Sequence, residues 1–347
     1  MKKIIAGMDI GFGQAKVCLK NGDESIKTIC FPRIFAEAGR DNRGLNNHSV
    51  YGIEGERFYV GQEALAYQDS FIRRDFRDYV KDKTYWLCIG KALIDTGIFN
   101  GDDNIRIKRL ILGLAPGHFY PENISHMKKT ALSGIEFSYN NKICRFSAKE
   151  VKILPQGSGA FFSETLTDKG LIQEKNGYKK LHGILDVGYR TTDFVLFEKG
   201  QFIGEKEELS EDTGMRTVLE KLQSHIRQKY DKEELEFLEP VLRGQPFEFR
   251  GKEYDLSDQV EKLISDHIYK RIEPEVLKRW EGRINRMKRI VICGGGAYFF
   301  KNAGDFLKLH KDQIVILPQP ELSNAVGFLR FGLMMEKSDS LKKQQKI

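Results

Sequence analysis

Cysteine is scarce in this chain and never paired in sequence: five residues in 347, at Cys18, Cys30, Cys88, Cys144 and Cys293, with no C-x-x-C among them. That excludes a disulfide-stapled secreted module and the usual zinc spacings, and it fits a reducing cytoplasm. Each cysteine is expected as a small buried hydrophobe. No run approaches the ~20 apolar residues needed to cross a bilayer. The apolar stretch after Met1-Lys2-Lys3 is broken at Asp9, too early for a secretory signal, and reads as a first strand. There is no G-x-x-x-x-G-K-[ST], no G-x-G-x-x-G, no H-E-x-x-H among the seven histidines and no G-x-S-x-G. P-loop, Rossmann, zinc-protease and serine-hydrolase readings all fail with them. Charge of one sign is also sparse: the net charge is +7, and acids interleave with bases from Lys221 to Lys262 and in the tail from Lys337. Such runs are solvated helix faces. Arg73-Arg74-Asp75-Phe76-Arg77 is a mere hint of a basic aromatic patch, so no direct nucleic-acid binding is expected.

What the chain has is the composition of a folded protein, 40% hydrophobic and 30% charged, and a length that outgrows a single core. Two domains are expected. Strand-like runs open the chain at Ile4 to Met8, Ala15 to Leu19 and Ser25 to Phe31, with Asn21-Gly22 as a hairpin turn. A polar loop from Arg40 to Asn47 precedes short strands at Ser49 to Ile53 and Arg57 to Val60. A helix from Tyr85 to Asp95 stops at Gly97, and Leu110 to Leu114 reads as a buried strand. Val151 to Leu154 is a short strand that runs into a helix at Gly157 to Thr167. The strand pattern restarts at Leu181 to Val187, Thr192 to Phe197 and Phe202 to Leu209, and helical periodicity returns at Thr213 to Ile226 and Val260 to Leu277.

That restart is an internal repeat. Asp9-Ile10-Gly11-Phe12 and Asp186-Val187-Gly188-Tyr189 place aspartate, aliphatic, glycine and aromatic at the same offsets, each after an apolar strand and before another. Either Asp-x-Gly alone reads equally well as a plain turn. Two copies in matched context point to phosphate binding, because glycine lets backbone N–H groups approach anionic oxygens and successive N–H groups form an anion-binding nest. A carboxylate beside phosphate needs a cation between them, and magnesium, held by one or two carboxylates, waters and phosphates, is that cation. A third signal is Ile290 to Cys293 running into Gly294-Gly295-Gly296-Ala297, where a flat ring could lie on bare backbone. On its own it is equally a tight strand-to-helix turn.

Together these segments resemble the actin-like ATPase superfamily, and within it the bacterial and archaeal filament proteins of the ParM/StbA type. Asp9-Ile10-Gly11-Phe12-Gly13-Gln14-Ala15-Lys16 resembles the first phosphate motif, and Asp186 to Asp193 the second. Gly294-Gly295-Gly296-Ala297 resembles the adenosine motif, and the segments Ile153 to Ala160 and Ser323 to Phe328 the two connectors. The resemblance implies an α/β, ribonuclease H-like duplicated fold with a nucleotide cleft between its domains. The first domain would be 1–160 with 322–347, carrying an insertion at about 34–67, and the second 161–321, with a helical insertion at about 229–283.

It also implies roles. Asp9 and Asp186 would face Mg2+, and Gln156 would position the attacking water as a neutral amide. ATP, with GTP as the alternative, would be bound by Gly11, Phe12, Gly13, Gln14, Lys16, Gly188, Tyr189, Arg190, Thr191, Thr192, Gly214, Gly294, Gly295, Gly296 and Ala297. Tyr189 and Arg190 depart from the small residues of many relatives, so Arg190 could itself meet phosphate charge. The expected activity is slow ATP hydrolysis coupled to a cytoplasmic homopolymer, for plasmid segregation through a DNA-binding adaptor or another cytoskeletal role. A small-molecule kinase and a non-polymerising regulatory ATPase are the alternatives. The kinase lacks the aspartate base it would need where Gln156 stands.

Overall fold

The run Ile4–Ile10 is buried at every position, as a strand covered on both faces must be. In the computed structural model, which describes residues 3–39, 48–67, 79–99, 104–203, 210–229, 238–302, 306–308 and 311–344, it is an interior strand of one of two compact units. Unit 1 comprises Met1–Lys179 and Leu322–Ile347, and unit 2 comprises Lys180–Glu321. The expected loop at Arg40 to Asn47 and the Arg73 to Arg77 patch lie outside the described residues.

Unit 1 is built on β1 (Ile4–Ile10), β2 (Gln14–Asn21), β3 (Lys27–Pro32), β4 (Phe35–Glu37), β5 (Tyr51–Ile53), β6 (Glu56–Val60), β7 (Asn104–Leu114), β8 (Ile135–Tyr139) and β9 (Lys142–Pro155). The nine form one sheet in the order β3-β2-β1-β7-β9-β8-β5-β6-β4. β1 is antiparallel to β2 and parallel to β7, which is parallel to β9. Helix α1 (Lys83–Asp95) starts where Asp82 caps the Thr84 N–H at 2.7 Å. Helix α2 (Pro121–Ser133) has proline in its first turn and stops at Gly134, φ 93°. Both helices share a core with Ile4, Ala6, Met8 and Ile10. α3 (Ser158–Thr165) and the single turn α4 (Lys175–Tyr178) complete the first stretch.

Unit 2 repeats the plan. Strands β10 (His182–Val187), β11 (Thr192–Glu198), β12 (Gln201–Ile203) and β13 (Ser210–Glu211) precede α5 (Arg216–Lys229) and the single turn α6 (Glu239–Leu242). A hairpin of β14 (Phe247–Phe249) and β15 (Lys252–Tyr254) follows, then α7 (Ser257–His267), a π-helical turn Ile268–Ile272 and α8 (Glu273–Trp280). Strands β16 (Arg289–Cys293) and β17 (Ile314–Ile316) close the sheet. Its order, β12-β11-β10-β16-β17, matches β3-β2-β1-β7-β9 strand for strand, with the same antiparallel and parallel pairings. The duplication therefore extends from the short motif to the sheet topology.

Several sequence expectations shift. The strand at Val151 to Leu154 is the end of the much longer β9, and the helix at Val260 to Leu277 is interrupted by the π-helical turn. The 229–283 segment holds a two-stranded hairpin beside its helices. Of the strand at Phe202 to Leu209, residues 204–209 lie outside the described residues. Residues 161–179 group with unit 1 rather than with the second domain. The reason is packing on α9 (Ser323–Gln344), the last helix: a Cβ at Gly327 would sit 1.6 Å from the Gly159 carbonyl, one at Gly170 would sit 2.5 Å from the Met334 nitrogen, and Asp168 pairs with Arg330 at 2.6 Å. α9 also lies on the other face of β1, where Ala325 and Leu329 cluster with Ile5 and Cys18 and where Gly7 leaves no room for a side chain.

Candidate functional site

In the first hairpin Asp9 occupies the penultimate position of β1, 2% exposed, directly opposite Lys16 of β2. The Lys16 ammonium lies 3.5 Å from Asp9 Oδ2, and the Gln156 side-chain amide donates to Asp9 Oδ1. Gln156 is held at the end of β9 by its own N–H, bonded to the Leu114 carbonyl at 2.8 Å. The turn closes through the Gly11 N–H to the Gln14 carbonyl at 2.9 Å, and the Gly13 carbonyl accepts from the Arg33 N–H at 2.8 Å. The Phe12 ring points into the core against Tyr79, centroids 4.9 Å apart, so only its backbone can meet a ligand. Gln14 accepts a weak bond from the Cys30 thiol at 3.8 Å.

The second hairpin has the same construction. Gly188 donates to the Thr191 carbonyl at 2.9 Å, and Val187 pairs with Thr192 as Ile10 pairs with Ala15. Asp186 sits where Asp9 does, 7% exposed, yet its partner across the ladder is a second carboxylate, Asp193, itself 3% exposed. Directly opposite carboxylates on one face repel unless a cation or proton is shared. The loop is stitched to the start of α5 by three backbone bonds: Gly214 N–H to Arg190 O at 2.7 Å, Met215 N–H to Gly188 O at 3.0 Å and Arg216 N–H to Tyr189 O at 2.7 Å. Gly214 is obligatory, because a Cβ there would lie 2.3 Å from the Arg190 carbonyl carbon. The Thr192 hydroxyl donates to the Thr213 carbonyl at 2.9 Å and is thereby committed to the loop. Arg190 forms an ion pair with Asp212 at 3.4 Å.

The glycine triplet follows β16 within the same unit. Gly294, φ 83°, packs so tightly on Val187 and Asp186 that a Cβ would come within 2.4 Å of the Val187 carbonyl oxygen, whereas Gly295 faces open space. Gly296 has no room for a Cβ against Val187, and Ala297 is fully buried with its N–H on the Gly294 carbonyl at 3.2 Å. In the same unit α5 presents a polar groove of about 440 Å3 lined by Thr217, Glu220, Lys221, Ser224, His225 and Gln228. Sequence reasoning missed this face, although its i, i+3, i+4 spacing of polar residues was there to be read. It also left Asp193 without a role. The signal was its place in the repeat, seven residues after Asp186, where the first copy has Lys16.

In unit 1 the two connector segments come together. Asn324, 4% exposed, accepts from the Gly157 N–H at 2.9 Å and the Ala160 N–H at 3.2 Å, so one side chain caps α3 from the start of α9. Among the described residues no helix is long and apolar enough to cross a membrane, and no three or more His, Cys, Asp or Glu side chains converge on one metal position.

Comparison with known proteins agrees with this layout. The family model for the N-terminal domain of actin-like proteins matches residues 7–159, and that for the C-terminal domain of the archaeal MreB-like actin homologue matches residues 184–304. Among solved structures, the archaeal actin homologue Ta0583 in complex with ADP is similar over 93% of this chain and 97% of its own, at TM-score 0.74 and 20% identity. A 15-stranded ParM filament from Clostridium botulinum gives TM-score 0.71 at 23% identity, covering 96% and 99%. Bacillus thuringiensis ParM with AMPPNP gives 0.71 at 14%, again covering 96% and 99%. A search of the curated proteins found no match. At such identities the structural likeness is one of fold. With both domain models matched in order, the sheet plan duplicated and an Asp-x-Gly hairpin at the heart of each unit, the chain belongs to the actin-like superfamily.

Proposed function

We propose that this protein is a magnesium-dependent ATPase that assembles into filaments with nucleotide bound and loses them as the nucleotide is hydrolysed. The observation that carries the reading is the pair of matched hairpins, each closing on a glycine N–H at 2.9 Å and each setting a buried aspartate at the same register position. Glycine turns of this kind offer backbone N–H groups to phosphate oxygens. The chemistry of each hairpin fits magnesium: Asp9 in one unit, and Asp186 with Asp193 in the other, supply carboxylate oxygens only, and among the described residues no cage of three or more such side chains forms, as suits an ion that keeps waters and takes phosphate oxygens. When bound, the ion would neutralise charge on the terminal phosphates.

The chain's own groups account for the rest of the reaction. The amide bond to Asp9 fixes the orientation of Gln156 and leaves its carbonyl oxygen to accept from a water, which it can hold in line but cannot deprotonate. Hydrolysis is therefore slow. Lys16 and Arg190 bring positive charge to the two hairpins. The open face of Gly295 offers bare backbone to a flat base. A small-molecule kinase is disfavoured because Gln156 stands where a base would be needed.

Filament formation is supported by the fold shared with a ParM solved as a filament, and nucleotide binding by relatives solved with ADP, ATP and AMPPNP. Cytoplasmic plasmid segregation through a DNA-binding adaptor is the cellular role that follows by analogy. The test is phosphate release and pelleting measured together. Release that is chelator-sensitive and polymer that appears with ATP and disappears as it is spent support the reading. Release indifferent to chelator sinks it.

A further inference from the structure

The α7–α8 arm touches the second hairpin's loop at two points that no sequence motif announces. The first is His267, the last residue of α7, 1% exposed and placed at the entry to the π-helical turn. Its Nε2–H donates to the Thr213 carbonyl at 2.8 Å, the same oxygen that accepts the Thr192 hydroxyl at 2.9 Å. Thr213 immediately precedes Gly214, Met215 and Arg216, whose N–H groups hold the carbonyls of Arg190, Gly188 and Tyr189. The second point is Arg279 of α8. Its guanidinium donates to Glu211 and lies 5.0 Å over the Phe194 ring, and Glu211 pairs in register with Thr192. The carbonyls of Gly188, Tyr189 and Arg190 are thus held by the three residues that directly follow Thr213, and Thr192 pairs with Glu211, so the arm grips the chain on both sides of those bonds.

Two features mark His267 as more than a packed core residue. The Thr213 carbonyl can only accept, which puts the ring proton on Nε2, and Nδ1 is buried with no hydrogen bond among the described residues, so that proton is the ring's single directed contact. A leucine or phenylalanine would fill the space without the unmet acceptor. The π-helical turn that follows inserts an extra residue into the helical ladder, a device that recurs at functional positions because it re-aims side chains.

We propose that His267 is a positioning residue for the 188–192 loop, and that the α7–α8 arm, through His267 and Arg279, sets how well that loop receives the phosphates of a nucleotide. This rests on the nucleotide reading above, so the test includes a measurement that needs no nucleotide. His267→Gln keeps a donor at the Nε2 position, His267→Asn moves it to the Nδ1 position, and His267→Leu removes it. Amide hydrogen exchange of the full chain without nucleotide should be faster at Gly214, Met215 and Arg216 in the Asn and Leu variants by about ten-fold, and within about three-fold of wild type in Gln, since only Gln keeps the bond. Affinity for MgATP should fall in the same order. If Leu does not fold, the Gln and Asn contrast decides alone. Equal exchange in Gln and Asn, or no change in either, overturns the proposal. A clear exchange contrast in a wild-type background that binds no MgATP leaves the positioning role standing and overturns the nucleotide reading instead.

Discussion

Gln156, in the turn just after β9, donates its side-chain amide to Oδ1 of Asp9 while Lys16 of β2 approaches Oδ2 at 3.5 Å, so both oxygens of one buried carboxylate are engaged from different segments. The amide is oriented before any ligand arrives. Gln156→Ala is therefore expected to lower phosphate release by about ten-fold or more, roughly 1.4 kcal/mol, with little change in nucleotide affinity. Matched losses in binding and rate would reassign Gln156 to the support of Asp9.

Loss of a carboxylate should be more severe. Asp9→Ala and Asp186→Ala are each expected to reduce turnover by at least ~100-fold, because stabilisation of developing phosphate charge is commonly the largest catalytic term. Asp193→Asn tests the residue that faces Asp186 across the ladder. It should raise the magnesium concentration needed for half-maximal phosphate release, and an unchanged magnesium dependence would remove Asp193 from the site.

Stability should fall in acid through His267. Burial pushes its pKa down from 6.5 to about 4, so the unfolded chain binds the proton more readily than the folded one. The contribution is fully present above pH 6.5 and is lost as the pH falls toward 4, amounting to about 2–3 kcal/mol by pH 4.5. Urea midpoints at pH 7 and pH 4.5 should separate more for wild type than for His267→Gln, which has no proton to take up.

Two glycines give opposite expectations. Gly327→Ala would place a methyl 1.6 Å from the Gly159 carbonyl and should cost about 3 kcal/mol or more, lowering the denaturant midpoint. Gly295→Ala meets nothing within 4 Å, so the midpoint should move by less than about 0.5 kcal/mol. Its effect should instead appear as weakened nucleotide binding, where the added methyl stands in the way of a base. Unaltered affinity in Gly295→Ala would move the base elsewhere.

With ATP or a non-hydrolysable analogue and magnesium, the protein is expected to pellet on ultracentrifugation, since a head-to-tail contact that does not close must propagate. The described parts of the 34–67 and 229–283 segments are the proposed contact tips. Charge reversals there should raise the critical concentration while leaving monomer melting unchanged. Persistent monomers by light scattering, with the analogue bound and across several salts, would leave the non-polymerising ATPase.

The hairpins were legible because their chemistry is local: aspartate at a strand end, glycine two residues later and an apolar run on either side. Helix α2 was not, because only Ile124, Met127 and Ala131 mark its inner face among polar and charged residues. β9 hid for a related reason, since Cys144, Phe146, Ala148, Val151 and Ile153 are buried among Arg145, Lys149 and Lys152, and the apolar positions slip by one partway along. Asp193 reads as an ordinary strand residue until register sets it against Asp186. His267 reads as a lone histidine until the fold brings it, from 54 residues away, to the Thr213 carbonyl. Polar groups recruited across long separations leave no periodic trace.

The cap that Asn324 places on Gly157 and Ala160 has a consequence for the order of events on the ribosome. Unit 1 starts first but is discontinuous: the face of β1 around Ile5 and Gly7, and the N-terminus of α3, are satisfied only by a helix that begins at Ser323. Unit 2 is a single uninterrupted stretch from Lys180 to Glu321. Domains generally fold as units during synthesis, beginning from the N-terminus. Here the half translated later can close its core while the earlier half still waits, one apolar sheet face uncovered, for α9 to emerge. A nascent chain stalled before Ser323 should accordingly expose unit 1, and not unit 2, to proteases and chaperones.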